Sequence, residues 1–138
     1  MAEAQDFNTK IIDEFRTSGG RVGGPFEGAP LLLLHHTGAK SGTQRVTPVM
    51  YQEVGDKLAV FASKGGAPTN PDWYRNLLAH PATVVEVGTD TLPVVARVAG
   101  DDERESIWEK QKHDYPGFAD YERKTTRCIP VVILERAA

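Results

Sequence analysis

Residues 31–50 read Leu-Leu-Leu-Leu-His-His-Thr-Gly-Ala-Lys-Ser-Gly-Thr-Gln-Arg-Val-Thr-Pro-Val-Met, an apolar strand, a glycine-framed turn and a second strand. Strands joined this closely must lie antiparallel, because a parallel pair needs a crossover of a dozen residues or more. The rest of the chain repeats the theme. Strands are expected at Pro30–Thr37, Arg45–Val54 and Lys57–Ser63, the last two joined by the tight Gly55-Asp56 turn. Ala82–Gly88 and Thr91–Ala99 form a further hairpin around Thr89-Asp90, and Ile129–Glu135 is a final strand. Helices fall between them. Asp6–Thr17 carries an apolar stripe of Phe7, Ile11, Ile12 and Phe15 and stops at Gly19-Gly20; a flexible connector follows to Pro25. Asn70-Pro71 opens a helix to about Ala79, with Asn70 as cap and Pro71 at the first helical position. Asp101, Asp102 and Glu103 lead a helix to about Asp114, and after Pro116 a short helix runs to about Lys124. About six mainly antiparallel strands with flanking helices place the chain in the α+β class as a barrel, not in the strict βαβ alternation of a dinucleotide-binding fold.

Composition narrows what such a barrel can do. With 138 residues, the chain is expected to form an amphipathic helix over 1–18 and one domain over 19–138. The longest apolar run, Ala29–Leu34, is too short to cross a bilayer, and the first twenty residues lack the basic start and apolar centre of a secretory signal. A cytoplasmic protein is expected. Asp6, Asp13 and Glu14 would oppose anionic lipids, so the first helix is expected to pack on the domain, with peripheral membrane contact disfavoured. The net charge of −3 argues against a nucleic-acid binder. The single cysteine, Cys128, excludes an internal disulfide and a cysteine zinc cluster. His35 and His36 point to opposite faces of one strand and His80 and His113 stand apart, so no metal site is implied.

Against that acidic background one region is cationic. No Asp or Glu occurs from Ala29 to Gln52, or between Lys57 and Pro71. Lys40 and Arg45 flank the first turn, and Lys64 follows the third strand in Phe61-Ala-Ser-Lys-Gly-Gly66. If the second and third strands pair through Gly55-Asp56, Arg45 and Lys64 lie at the same end of that pair. Converging cations beside glycine-rich backbone suit a polyanionic ligand. In Asn70-Pro-Asp-Trp-Tyr-Arg-Asn-Leu77, Trp73 and Asn76 share a helix face, as core or as a platform for a heterocycle. Tyr115, Phe118 and Tyr121 are spaced by threes across Pro116, as core packing or as the wall of an apolar pocket.

Taken in order, Thr37-Gly-Ala-Lys-Ser-Gly-x-x-Arg-Val-x-Pro48, Ala62-Ser-Lys-Gly-Gly66, Asn70-Pro-x-Trp-Tyr-x-Asn-Leu77, Tyr115-Pro, Tyr121 and Arg127-x-Ile-Pro-Val131 resemble the deazaflavin-dependent nitroreductase family, the F420-dependent oxidoreductases of actinobacteria. The resemblance covers nearly everything from Gly19 onward. It implies a split β-barrel of the FMN-binding type and an F420H2-dependent reductase that passes a hydride to a quinone, an activated enone or lactone, or a nitroaromatic. It also implies residue roles. Lys40, Arg45 and Lys64 would hold the coenzyme's phosphate and oligoglutamate tail, helped by Ala39 and Ser41. Val46, Thr47, Pro48, Val49 and Met50, with Phe61, Ala62 and Ser63, would line the deazaflavin ring, and Trp73 and Asn76 would close the site. Tyr115, Phe118 and Tyr121 would shape the acceptor pocket, with Tyr121, Tyr115 and Ser63 as candidate donors of a hydrogen bond or proton. Members that reduce nitroimidazoles carry a tyrosine where Phe118 stands, so a flat, more apolar acceptor is expected here. The alternatives are an FMN-binding split-barrel oxidoreductase and a non-catalytic F420 carrier. The protein is expected as a monomer or homodimer.

Overall fold

The computed structural model describes residues 2–20, 30–63, 69–126 and 128–137. The elements run α1 (Ala2–Ser18), β1 (Leu31–Thr37), β2 (Gln44–Val54), β3 (Lys57–Phe61), α2 (Asp72–Ala79), β4 (Ala82–Val87), β5 (Asp90–Val98), α3 (Asp101–Asp114), α4 (Gly117–Lys124) and β6 (Val131–Arg136). The strands close a barrel in the order β1-β2-β3-β6-β5-β4, every neighbouring pair antiparallel. The expected α+β class and six-stranded antiparallel barrel are what the chain forms.

Register follows from the turns. Val54 pairs with Lys57, leaving Gly55-Asp56 as a two-residue turn in which Gly55 takes φ +63°, a conformation that costs a residue with a Cβ. Val87 pairs with Asp90, so the β4–β5 turn is Gly88-Thr89, one residue earlier than expected. The α2 start also shifts. Pro71 is extended (ψ 154°) and its carbonyl accepts the Tyr74 N–H at 3.1 Å, so the helix begins at Asp72 and Pro71 occupies the capping position foreseen for Asn70.

Strand alternation sorts the side chains into layers. Leu32, Leu34, Val60, Ala62, Val85, Val94, Val132 and Leu134 point into the barrel, where Trp73 and Leu77 of α2 plug one end. Leu31 and Leu33 point outward beneath Ile11 and Phe15 of α1. Ala59, Phe61, Val131 and Ile133 point outward beneath Ile107 and Trp108 of α3 and Phe118 of α4. The four leucines of β1 are thus buried on both faces, which explains an unbroken apolar run where a half-exposed strand would alternate. α1 is tied down by Arg16, whose Nε and Nη2 donate to Glu86 Oε1 and Oε2 at 3.0 and 2.7 Å.

Candidate functional site

β2 differs from its neighbours. Although it pairs on both sides, Val46–Tyr51 are all half-buried, whereas Leu31–Leu34 of β1 and Ala59–Phe61 of β3 are buried. On its outer face, Val46 and Met50 pack against the α1 cluster, and Met50 and Val54 against the α3–α4 cluster. Met50 touches both. The outer row of β2 is thus a half-exposed strip between the α1 cluster and the α3–α4 cluster.

The α3–α4 side of this strip is aromatic. Phe118 is 8% exposed and meets Phe61, Trp108 and Tyr121 edge-on, with ring centroids at 5.5, 6.1 and 5.2 Å. Tyr115 and Tyr121 pack on the cluster but stay half-buried. α4 is held by Trp108, whose indole N–H donates to Glu122 Oε2 at 2.5 Å, while Lys112 reaches Glu122 Oε1 at 3.1 Å. Arg104 and Lys112 also stand over the Trp108 ring, 5.4 and 5.9 Å from its centroid. Beyond Tyr115 lies a cleft of about 350 Å3 bounded by Tyr51, Gln52, Gln111 and Asp114.

The β1–β2 turn lies at the other end of the strand. Gly42 N–H donates to Gly38 O, and Gly38 N–H to Thr43 O, both at 2.9 Å; Ser41 Oγ accepts the Thr43 N–H at 3.2 Å. Ala39, Lys40, Ser41 and Arg45 are exposed. Neither Lys40 nor Arg45 forms an ion pair among the described residues. Lys40 on a turn that fixes its own backbone and Arg45 at the start of β2 fit an anionic ligand.

Behind the turn sits a polar chain. Asn76 Oδ1 accepts the Ala39 N–H at 2.9 Å, Asn76 Nδ2 lies 2.9 Å from His36 Nδ1, and His36 Nε2 lies 2.9 Å from Thr47 Oγ1. His36 is 3% exposed and Asn76 7%. Burial, reinforced by the positive charge of Arg45, pushes the imidazole down to about pKa 4, so it is neutral at physiological pH.

The residues singled out from sequence thus separate. Alternation puts Val46, Pro48, Met50 and Phe61 on the outer face and Thr47, Val49 and Ala62 on the inner one, so no flat ring touches all of them. Ser63 is buried just past β3. Trp73 is buried in the barrel core, and Asn76 is engaged with His36 and Ala39. Tyr115, Phe118 and Tyr121 come together beside Phe61. Lys64, Gly65, Gly66 and Arg127 lie outside the described residues. His36 and Trp108 were missed from sequence. A signal for His36 existed, since it continues the inward row of Leu32 and Leu34 and had to be buried.

The family model for F420H(2)-dependent quinone reductase matches residues 9–136. The chain belongs to this family. An F420H(2)-dependent quinone reductase of Mycobacterium tuberculosis is 38% identical over 126 residues, 88% of this chain and 85% of that one. A solved F420-H2 dependent reductase is 45% identical, over 77% of this chain and 94% of its own, with a TM-score of 0.70. A second solved structure, described as a domain-swapped dimer, is 38% identical over 97% of this chain and 98% of its own, with a TM-score of 0.72. The F420H2-dependent quinone reductase family is one of split-barrel oxidoreductases, and this chain is an F420-dependent reductase with reduced F420 as its cofactor. The FMN-dependent and non-catalytic alternatives give way to that assignment. Among the described residues no cluster could hold a metal, and no helix is long and apolar enough to cross a membrane.

Proposed function

We propose that the half-exposed strip on the outer face of β2 holds the coenzyme ring and that the acceptor is a flat, apolar quinone. The observation that carries this reading is the half-buried outer row of β2, set between two helix-covered clusters, with Lys40 in the turn before the strand and Arg45 at its start, neither ion-paired among the described residues. In this reading Lys40 and Arg45 grip the anionic tail, with Lys64 as a third cation, while the exposed backbone and hydroxyl at Ala39 and Ser41 border it. Val46, Pro48, Met50 and Phe61 support the ring from below. Reduced F420, when bound, supplies the hydride. Phe118 and Tyr121 hold the acceptor flat and exclude water, which keeps the reacting carbons close and aligned. The Tyr121 hydroxyl, with Tyr115 and Ser63 as further candidates, donates to the oxygen on which negative charge develops. The inward residues Thr47, Val49, Ala62, Trp73 and Asn76 support the site from behind.

The quinone preference rests on Phe118. Its buried ring presents carbon edges to three other rings, with no hydroxyl to offer a nitro group. The experiment is an acceptor screen with F420H2, comparing a naphthoquinone, a cyclic enone and a nitroaromatic in the wild type and in Phe118→Tyr. The quinone should turn over fastest, and Phe118→Tyr should raise nitro reduction relative to quinone reduction. An unchanged ratio contradicts the assignment of Phe118 to the acceptor wall.

A further inference from the structure

The chain from Ala39 to Thr47 fixes a protonation state without any titration. The Ala39 N–H can only donate, so the Asn76 atom facing it is the carbonyl oxygen, as the 2.9 Å contact has it. The Asn76 NH2 must then donate to His36 Nδ1, which must carry a lone pair. The imidazole proton therefore resides on Nε2 and is donated to Thr47 Oγ1. Four groups from β1, β2, α2 and the turn between β1 and β2 are joined in one directional chain. Its two central members are almost wholly buried, so water cannot substitute for a lost link.

We propose that His36 is a positioning residue for coenzyme binding: its neutral Nε2–H form orients the Asn76 amide, which holds the Ala39 N–H and with it the turn bearing Lys40. This rests on the reading of that turn as the anion site. Arg45 lies directly across from His36 in the β1–β2 register, so the same residue that would grip the ligand also disfavours a charged ring. His35 on β1 acts in the same direction, and Asp72 on α2 opposes them. Protonation at Nδ1 would set two donors face to face and release Asn76. The positioning therefore holds across neutral pH and is lost only in acid.

The test is fluorescence titration with F420 at pH 7 of the wild type, His36→Phe, His36→Asn and the double variant Lys40→Ala/Arg45→Ala. His36→Phe fills the space without hydrogen bonds and should weaken binding by roughly fivefold to tenfold. His36→Asn puts an amide oxygen in the place of Nδ1 and should recover most of that loss. Below pH 5 the wild type should lose affinity relative to His36→Asn, a comparison in which titration of the ligand's own carboxylates cancels. Nitrogen-15 shifts of the wild-type His36 ring should report a proton on Nε2, a readout that requires no variant to fold. A proton on Nδ1, full affinity in His36→Phe, or a constant ratio between wild type and His36→Asn down to pH 4 would overturn the proposal. Full affinity in the double variant would instead remove the reading of the turn on which it rests.

Discussion

Protonation of His36 has a cost to the fold as well as to the site. Its folded-state pKa, lowered by burial to about 4, lies below the 6.5 of an unfolded histidine, so the unfolded chain binds the proton first as pH falls. The stability it contributes is therefore complete above pH 6.5 and is lost progressively from there to about pH 4. The loss should be on the order of 3 kcal/mol, and urea midpoints measured against pH should show it in the wild type and not in His36→Asn. At the same scale, Lys40→Ala and Arg45→Ala should each weaken F420 binding by about 1–2 kcal/mol, less in high salt, because both side chains are exposed. The cationic turn was legible from sequence, since acids are absent from a long stretch of an acidic chain. The relay behind it was not, because a pairing of His36 with Asn76 across forty residues leaves no local trace. Asn76 could be placed on a helix face with Trp73, but which of its neighbours it bonds depends on how α2 plugs the barrel.

Among the elements, α1 and the α3–α4 pair flank the half-exposed outer row of β2 that is proposed to hold the coenzyme ring. Phe15 is 1% exposed against Leu31 and Leu33, so Phe15→Ala should destabilise the protein by about 3–4 kcal/mol. It should also weaken F420 binding, because the α1 side of the strip collapses; equilibrium unfolding and titration of the same variant check both. An unchanged affinity would mean that α1 contributes to the fold alone. The helical stripe of Phe7, Ile11, Ile12 and Phe15 was readable in advance; Ile11, Ile12 and Phe15 pack on the domain, and the Phe7 side chain lies outside the described residues. Element boundaries were less so. The strand at Lys57 ends at Phe61 and the last strand begins at Val131, because at the next pair Pro130 O accepts the Ala62 N–H but Pro130 has no N–H to return. Phe118 and Tyr121 were foreseen together from their spacing. Trp108, which holds α4 through Glu122, sits on a helix whose polar character gave no sign of it.

At the scale of the whole molecule, the barrel closes on its narrowest seam. β1 and β4 pair only at Leu33–Glu86 and Leu34–Val85, whereas β1 and β2 pair along seven positions. Glu86 sutures that seam: it accepts from Arg16 of α1 and lies 2.7 Å from His35 Nε2 on β1, while Thr83 Oγ1 donates to His35 O at 2.6 Å. Its hydrogen bonds to Arg16, outweighing burial, hold its pKa below the ordinary carboxylate value, so its contribution is present above that value and disappears as pH falls past it. Glu86→Gln should cost about 1–2 kcal/mol at pH 7 and much less in acid. Amide exchange should quicken first along β1 and β4, and exchange that instead quickens evenly around the barrel would deny the seam its role. A barrel of hairpins could be read from turn residues alone. Its closure could not, since the β1–β4 contact joins strands far apart in sequence and is marked by a single acid whose partners come from two other elements.

The most direct test of the central claim, that reduced F420 is held on the outer row of β2 by Lys40 and Arg45, is the F420 affinity of the wild type beside that of Lys40→Ala/Arg45→Ala. Saturable wild-type binding that weakens at least tenfold in the double variant is the predicted result. Equal affinity for the two proteins would contradict it and move the coenzyme to another face of the barrel.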